Sequence, residues 1–386
     1  MTLAALGLPA SAAAAPAALW VAPGAGADRA SGTADRPLRT LTEAWRRAGD
    51  GTVINITADE VRAADAPVYW EDRRGVTVRG HGGVVLPAIN MAGVRRVGFE
   101  RLTVRGDVHC ERCSHWTLRA VRIRAGGAQE ALKVNQSDHV RVLGSDIAQA
   151  SDNALDFVAV QHATIARSRI HHAEDWCAYV KGGSAYVRVF GNEIHDCGTG
   201  GFTAGQGTGL QFMTPPWLQY EAYDVRVVRN RIHDTDGAGL GVNGGYDVLL
   251  AFNTLRRVGA RSHAIEIVHG SRSCDGRPGD DGRERCAEYL RQGAWGTTAV
   301  DDGTNFARIP NRHVFVYNNS ILRAKGAARW SIARPYDSAE QRRSGAPSPA
   351  LAADDLRRGG NSFSGGPLGS VRVPTFGAWE VPVPQP

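Results

Sequence analysis

The sequence predicts an all-β fold, a parallel solenoid carrying long inserted loops, and three of its features predict it. Between Ala131 and Ile194 nearly the same phrase occurs three times: ALKVNQSDHVRVLGSDI, ALDFVAVQHATIARSRI and AYVKGGSAYVRVFGNEI. Each copy holds a short strand of alternating apolar residues, a polar turn, a second strand and a closing isoleucine. The closing residues Ile147, Ile170 and Ile194 fall 23 and 24 residues apart. A strand-rich period of this length reads as one coil per repeat, each coil burying its apolar side against its neighbours. The phrase also closes at Val104 and Ile123 upstream and at Ile232, Leu255 and Ile321 downstream. Finally, Asn192, Asn230, Asn253 and Asn319 each stand two residues before a closing apolar residue. Asparagines at such a turn bond one another along the coil axis and tolerate left-handed backbone.

Taken in order, residues 1–17 begin with MTLAALGLPASAAAA, which fits the apolar, small-residue end of a secretory signal without a basic start; an alanine-rich leader is the alternative. The segment ALWVAPGAGADRASGTADRPLRTLTEAWRRAGDG predicts a strand, a loop and a short helix. Thr40 and Glu43 make a capping-box pattern, and the helix is expected to cover the open end of the first coil. Coils then run to residue 335 as one domain spanning 18–335. An insertion near MTPPWLQYEAYD stretches one interval to 38 residues, and another over residues 269–313 stretches a later one to 66. Residues 336–386 lose the repeat and are expected to form a C-terminal extension.

Composition narrows the function. No run reaches the roughly 18 apolar residues of a membrane-spanning helix, so no membrane partner is expected. The net charge is +6 with pI near 9.1, which suits a polyanionic partner. The arginines are spread and not interleaved with aromatics, against nucleic acid. Only Lys133, Lys181 and Lys325 among the 45 basic residues are lysines, and lysine, unlike arginine, gives up its proton readily. Six cysteines fall into the couples Cys110 and Cys113, Cys177 and Cys197, and Cys274 and Cys286, which favours disulfides and an oxidising compartment. A metal or redox role for the first couple is the alternative.

The coil phrase, the asparagine positions and the WVAPGAGADRASGTADRPLRTLTEA opening together resemble bacterial right-handed parallel β-helix proteins of the pectate-lyase-like superfamily, over about residues 19–330. Many members of that superfamily are lyases of uronate-containing polysaccharides, some are glycoside hydrolases and some are non-catalytic. The VKGGS run at 180–184 and GNEIHD at 191–196 are similar to phrases of alginate-type and chondroitin-type lyases, in which the strand lysine is the Brønsted base. Their companion arginine motif on the next coil is not matched, GGFTAGQGTG standing there instead. The resemblance implies a secreted or extracytoplasmic bacterial monomer acting on an acidic polysaccharide.

Elimination from a uronate requires removal of the C5 proton, α to a carboxylate whose charge must be neutralised. Aligned on the repeat, Lys133, Asp156, Lys181 (with a one-residue slip), Gln211, Asn243 and Glu266 are expected on one outward face. Lys181 is the expected base, beside Gly182 and Gly183, which would admit a close ligand. Lys133 and Arg261 would help lower its pKa and hold a substrate carboxylate. Glu266 beside His263 is a candidate acid or hydrogen-bond acceptor, and Tyr220 a candidate proton donor or sugar platform. Gln211 and Asn243 complete the substrate-binding set. Asp152, Asp156, Asp175 and neighbouring Glu174 could ligate Ca2+. Alternatives are an inverting hydrolase using Asp156, Asp175 and Glu266, and a non-catalytic carbohydrate-binding solenoid. His171, His195 and His233, each following a closing residue, read as a turn-exposed stack or a metal ladder.

Overall fold

The computed structural model describes residues 17–57, 60–215, 217–274, 279–298, 307–332 and 356–373; the expected leader, but for residue 17, lies outside them. The chain winds as a parallel β-helix. A twelve-stranded first face runs from Ala18–Val21 to Leu356–Gly359, each strand paired parallel with the one a coil away. The other two faces form one sixteen-stranded sheet. They join through the long strand Thr103–Glu111, whose first half pairs with Arg122–Arg124 and whose second half pairs with Leu132–Asn135. One branch, here the closing face, continues through Asp146–Ala150, Arg169–Ala173, Glu193–Cys197, Arg231–Thr235 and Thr254–Val258. The other, here the cleft face, continues through Leu155–Val158, Trp176–Lys181, Gly200–Ala204, Ala238–Asn243 and His263–Val268.

Register explains the core. Val104, Ile123, Ile147, Ile170, Ile194, Ile232, Leu255 and Ile321 stand in one hydrogen-bonded column, every one buried. A parallel pair places like positions about 4.8 Å apart, so a repeated apolar residue becomes a continuous apolar rod.

The asparagine ladder forms as expected along the axis. Asn192 donates its backbone N–H and its amide to Asn230 Oδ1 at 3.0 and 2.9 Å. Asn230 does the same to Asn253, and Asn253 to Asn319. Ser168 and Ser145 extend it at one end, and Asn361 at the other. The left-handed backbone lies one residue earlier than expected, at Arg167, Gly191, Arg229, Phe252 and Asn318, with φ between 51 and 65°. The asparagine is thus held by its side chain, while its predecessor makes the turn.

The N-terminal helix, Leu41–Arg47, buries Leu41, Ala44 and Trp45, and Trp45 meets Trp70 edge-on. Only half of the capping box forms. Thr40 Oγ1 accepts from Glu43 N–H, but Thr40 N–H is taken by Asp28, and Glu43 pairs with Arg46 and Arg47. All three expected disulfides are present, with Cα separations of 6.0, 5.4 and 6.2 Å. Cys177 and Cys197 are not stacked in one column, since Cys197 lies opposite Ala173; the bridge crosses between the cleft and closing faces inside the core. The C-terminal extension departs from expectation: Leu356–Gly359 adds a strand to the first face and Asn361 caps the ladder. The NSF at 361–363 repeats the NSI at 319–321, so a further partial coil was written in the tail. Among the described residues no helix is long and apolar enough to cross a membrane.

Removing a mid-ladder side chain strands several buried groups, each costing about 1–3 kcal/mol when unsatisfied. Asn230→Ala should therefore lower the unfolding free energy by about 3 kcal/mol or more, read by urea denaturation.

Candidate functional site

On the cleft face, side chains two residues apart in one strand point the same way, so each coil contributes two outward positions. The first column runs His109, Lys133, Asp156, Tyr179, Thr203, Gly241 and Glu266. The second runs Glu111, Asn135, Val158 and Lys181, with Asn243 at the same place further along. Lys181 therefore shares a face with Lys133 but stands two residues on, not one; a one-residue slip would have turned it inward.

A cleft of about 600 Å³ opens over the middle coils, lined by Gln129, Glu130, Lys133, Asn135, Asp152, Asp156, Tyr179, Lys181 and Gln206 among others. Its two lysines differ in state. Lys133 Nζ lies 2.6 Å from Glu130 and 3.2 Å from Asp156. Burial pulls its pKa down, but the two carboxylates outweigh burial and hold it above the usual lysine value. Lys181 Nζ lies 3.1 Å from Gln206 Oε1 and 4.3 Å from the centre of the Tyr179 ring. Among the described residues no carboxylate stands within ion-pair distance of it. Tyr179 is buried, accepts from the Asn153 amide at 3.0 Å, and is kept protonated by burial and by the charges of Asp156, Asp152 and Glu130.

The wall behind Lys181 is made by the two insertions. Gly207–Gly209 and Gly270–Ser273 pair as a small sheet with Ala307–Ile309. The helix Asp281–Arg291, tied by Cys274–Cys286, packs on the short turn Leu210–Phe212. Under the junction lies Glu221, fully buried. It accepts from Gly182 N–H at 3.1 Å and Thr208 Oγ1 at 2.5 Å, and pairs with buried Arg272. This pair fixes the turn after Lys181 to both insertions. It was not recognised in the sequence, where an insertion Glu and Arg 51 residues apart carry no pattern.

Several expected residues lie elsewhere. Gln211 is buried in the short turn against Cys286, not on a coil strand. Tyr220 is buried among Tyr223, Tyr246 and Trp295, away from the cleft. Arg261 is exposed and paired with Asp236, so it stands apart from Lys181. Glu266 accepts from His263 at 3.0 Å and from the Asn243 amide at 2.9 Å, and Asn243 in turn accepts from Thr203. That chain runs along the cleft face from two coils beyond Asp156, at Thr203, to four coils beyond it, at Glu266. Gly182 and Gly183 have φ of 64 and 80°, and a Cβ on Gly182 would strike Val158 and Thr208 at 2.9 and 3.0 Å. They serve a tight turn under the insertions; they do not open space for a ligand. Asp152 lines the cleft, while Asp175 is held by Thr199, its pKa raised by burial and by Asp152. Among the described residues Asp152, Asp156 and Asp175 do not bring three ligand atoms within 4.8 Å of one another. Asp156 pairs with Lys133 through Oδ2 at 3.2 Å.

Residues 106–275 match the family described as a right handed beta helix region. That match agrees with the observed coils: the chain folds as a right-handed parallel β-helix. No curated protein matches it by sequence. It is similar in structure to XylC in complex with xylose, at 10% identity and TM-score 0.52, over 90% of this chain and 83% of that one. The periplasmic alginate epimerase AlgG is 11% identical over 82% of this chain and 76% of its own, with TM-score 0.48. Pectate lyase Pel9A is 12% identical over 92% and 81%, with TM-score 0.43. At 10% identity the likeness to XylC speaks for the fold alone.

Glu221→Gln would leave the buried Arg272 guanidinium without its counter-charge. It should lower stability by about 3–5 kcal/mol, measured by thermal or urea unfolding.

Proposed function

We propose that this protein is a secreted polysaccharide lyase acting on a uronate-containing glycan, with Lys181 as the base. The observation that carries the reading is the state of Lys181: it is the cleft amine not committed to a salt bridge, whereas Lys133 is neutralised by Glu130 and Asp156. The Tyr179 ring and Gln206 hold it in place. The three disulfides suit the oxidising compartment outside the cytoplasm. The net positive charge draws a polyanion towards the protein.

In this reading a glycan lies along the coil axis in the cleft. The Lys181 amine takes the C5 proton on its lone pair, the C4–O bond breaks, a C4–C5 double bond forms, and O4 leaves with a proton from water in the open cleft. Amide donors at Asn135 and Gln206 are the groups available to the uronate carboxylate. Glu221 and Arg272 act beneath the surface, by fixing the turn that follows the base.

The protein is incubated with alginate, pectate, hyaluronan and chondroitin, and the ultraviolet absorbance of the unsaturated uronate is followed. Lys181→Ala and Lys181→Arg should each lower kcat about 10²–10⁴-fold, because arginine keeps the charge but not the base. Arg261→Ala should leave the rate unchanged. If Lys181→Arg kept near-normal activity, the residue would be a carboxylate ligand and not the base. New reducing ends without the double bond would move the reaction to hydrolysis. Glycan binding without product would mark a binding solenoid.

A further inference from the structure

The closing face carries a group of imidazoles that the cleft does not use. His171, His195 and His233 stack in register on three successive strands, with ring centres 4.7 Å apart and planes within 4°. They lie in strands, half-buried or buried, and not at exposed turns as expected from the sequence. His172, at φ 56°, sets its ring edge-on to His171 with the two Nδ1 atoms 2.6 Å apart. We infer that His171, His172 and His195 form a binding site for one divalent transition ion of the Zn2+ class, which ties two successive coils together.

Four observations support this site. One nitrogen from each of the three rings lies within 4.8 Å of the others. Zn–N bonds of about 2.0–2.1 Å around a tetrahedral ion place ligand nitrogens about 3.3 Å apart, so small side-chain rotations complete the set. The tautomer of His171 is set from outside, because its Nε2 lies 3.0 Å from Asp146 Oδ1. A carboxylate there holds the proton on Nε2 and leaves the Nδ1 lone pair facing His172. Two facing nitrogen lone pairs need a proton or a cation between them. The ion takes that place when His172 carries its ring proton on Nε2, which leaves its Nδ1 lone pair free to bind.

His195 is the odd member of the stack. His171 and His233 have acidic partners on Nε2, Asp146 and Glu193. Arg169 stands between those two in register, so His195 has an arginine where the others have a carboxylate. His195 is 7% exposed, and its Nε2, on the Arg169 side and without a hydrogen-bond partner, faces away from His172, so Nδ1 is the nitrogen it offers to the site. On its other side Nδ1 lies 2.6 Å from Asp196 Oδ2, which places a carboxylate at hand as a fourth ligand. The framework is rigid, since Cys197, two residues beyond, is bonded to Cys177. Solvent reaches the site through an open depression lined by His172, Gln149, Ser151 and Glu174. Imidazole donors favour zinc-like ions over calcium or magnesium.

The full chain, without a histidine tag and stripped with a chelator, is titrated with Co2+ by visible absorption and with Zn2+ by calorimetry. The site predicts one equivalent, a tetrahedral Co2+ band displaced by Zn2+ and not by Ca2+, and a Zn2+-dependent rise in Tm. His172→Asn, which tolerates the left-handed backbone, should weaken binding at least about 100-fold, and Asp146→Asn about 10–100-fold through loss of the outer partner. His139→Ala alters a second, more exposed cluster of His115, Asp138 and His139, and should leave binding unchanged. Absence of stoichiometric binding would overturn the site, as would binding indifferent to both His172→Asn and Asp146→Asn, or binding lost only in His139→Ala.

Discussion

Coil-to-coil register is the constraint on which everything else in this molecule depends. Once parallel strands pair in register, a residue type repeated in the sequence becomes a physical column. The apolar column fills the interior from Val104 to Ile321. The serine and asparagine column locks the turns by passing backbone and amide hydrogens from each coil to the next. The imidazole columns stack at ring-stacking distance because the coil spacing imposes it. A slip of one residue would turn every outward group inward, so buried hydrogen bonds at the ladder guard the surface chemistry as well as stability.

The cleft shows how an irregular element completes a regular one. Bare coils offer a flat ribbon of side chains, with Lys133, Asp156 and Tyr179 in one row and Asn135 and Lys181 in the next. Depth comes from the insertions, which rise as a wall through Gly207–Gly209, Phe212 and Gly270–Ser273. Their attachment is ionic and buried: Glu221 and Arg272 have no exposure and engage Gly182, Thr208 and one another. An isolated buried charge is costly, so neither residue is stable in place without the other. The base proposed for the cleft thus sits at the seam between repeat and insertion.

Charge is distributed by the same geometry. Lys133 is closed off by Glu130 and Asp156, and Arg261 by Asp236, whereas Lys181 is held by an amide and a ring. Three basic residues that look alike in the sequence thus differ in what they can offer an anionic ligand. A second histidine stack, His115, His139 and His162 with Tyr186, shows the register acting at the turn preceding the first face, where each member has positive φ.

By itself the sequence determined the solenoid, the columns of closing residues, the ladder, the capping helix and the three disulfide couples, because each is a local pattern or a fixed period. It also brought Lys133, Asp156, Lys181, Asn243 and Glu266 to one face, since period-2 alternation decides facing. Only the tertiary structure decided which of them meet. Gln211 reads as an outward strand residue and Tyr220 as a residue of the inserted loop, and packing against Cys286 and Trp295 draws both inside. Arg261 found Asp236 one coil away, and after Lys181 Gly182 answers to Val158 and Thr208, Gly183 to Leu218 and Met213. Pairings such as Glu221 with Arg272 depend on how two long loops fold onto each other. No period links such loops, so the chain order carries no trace of the contact until the fold has made it.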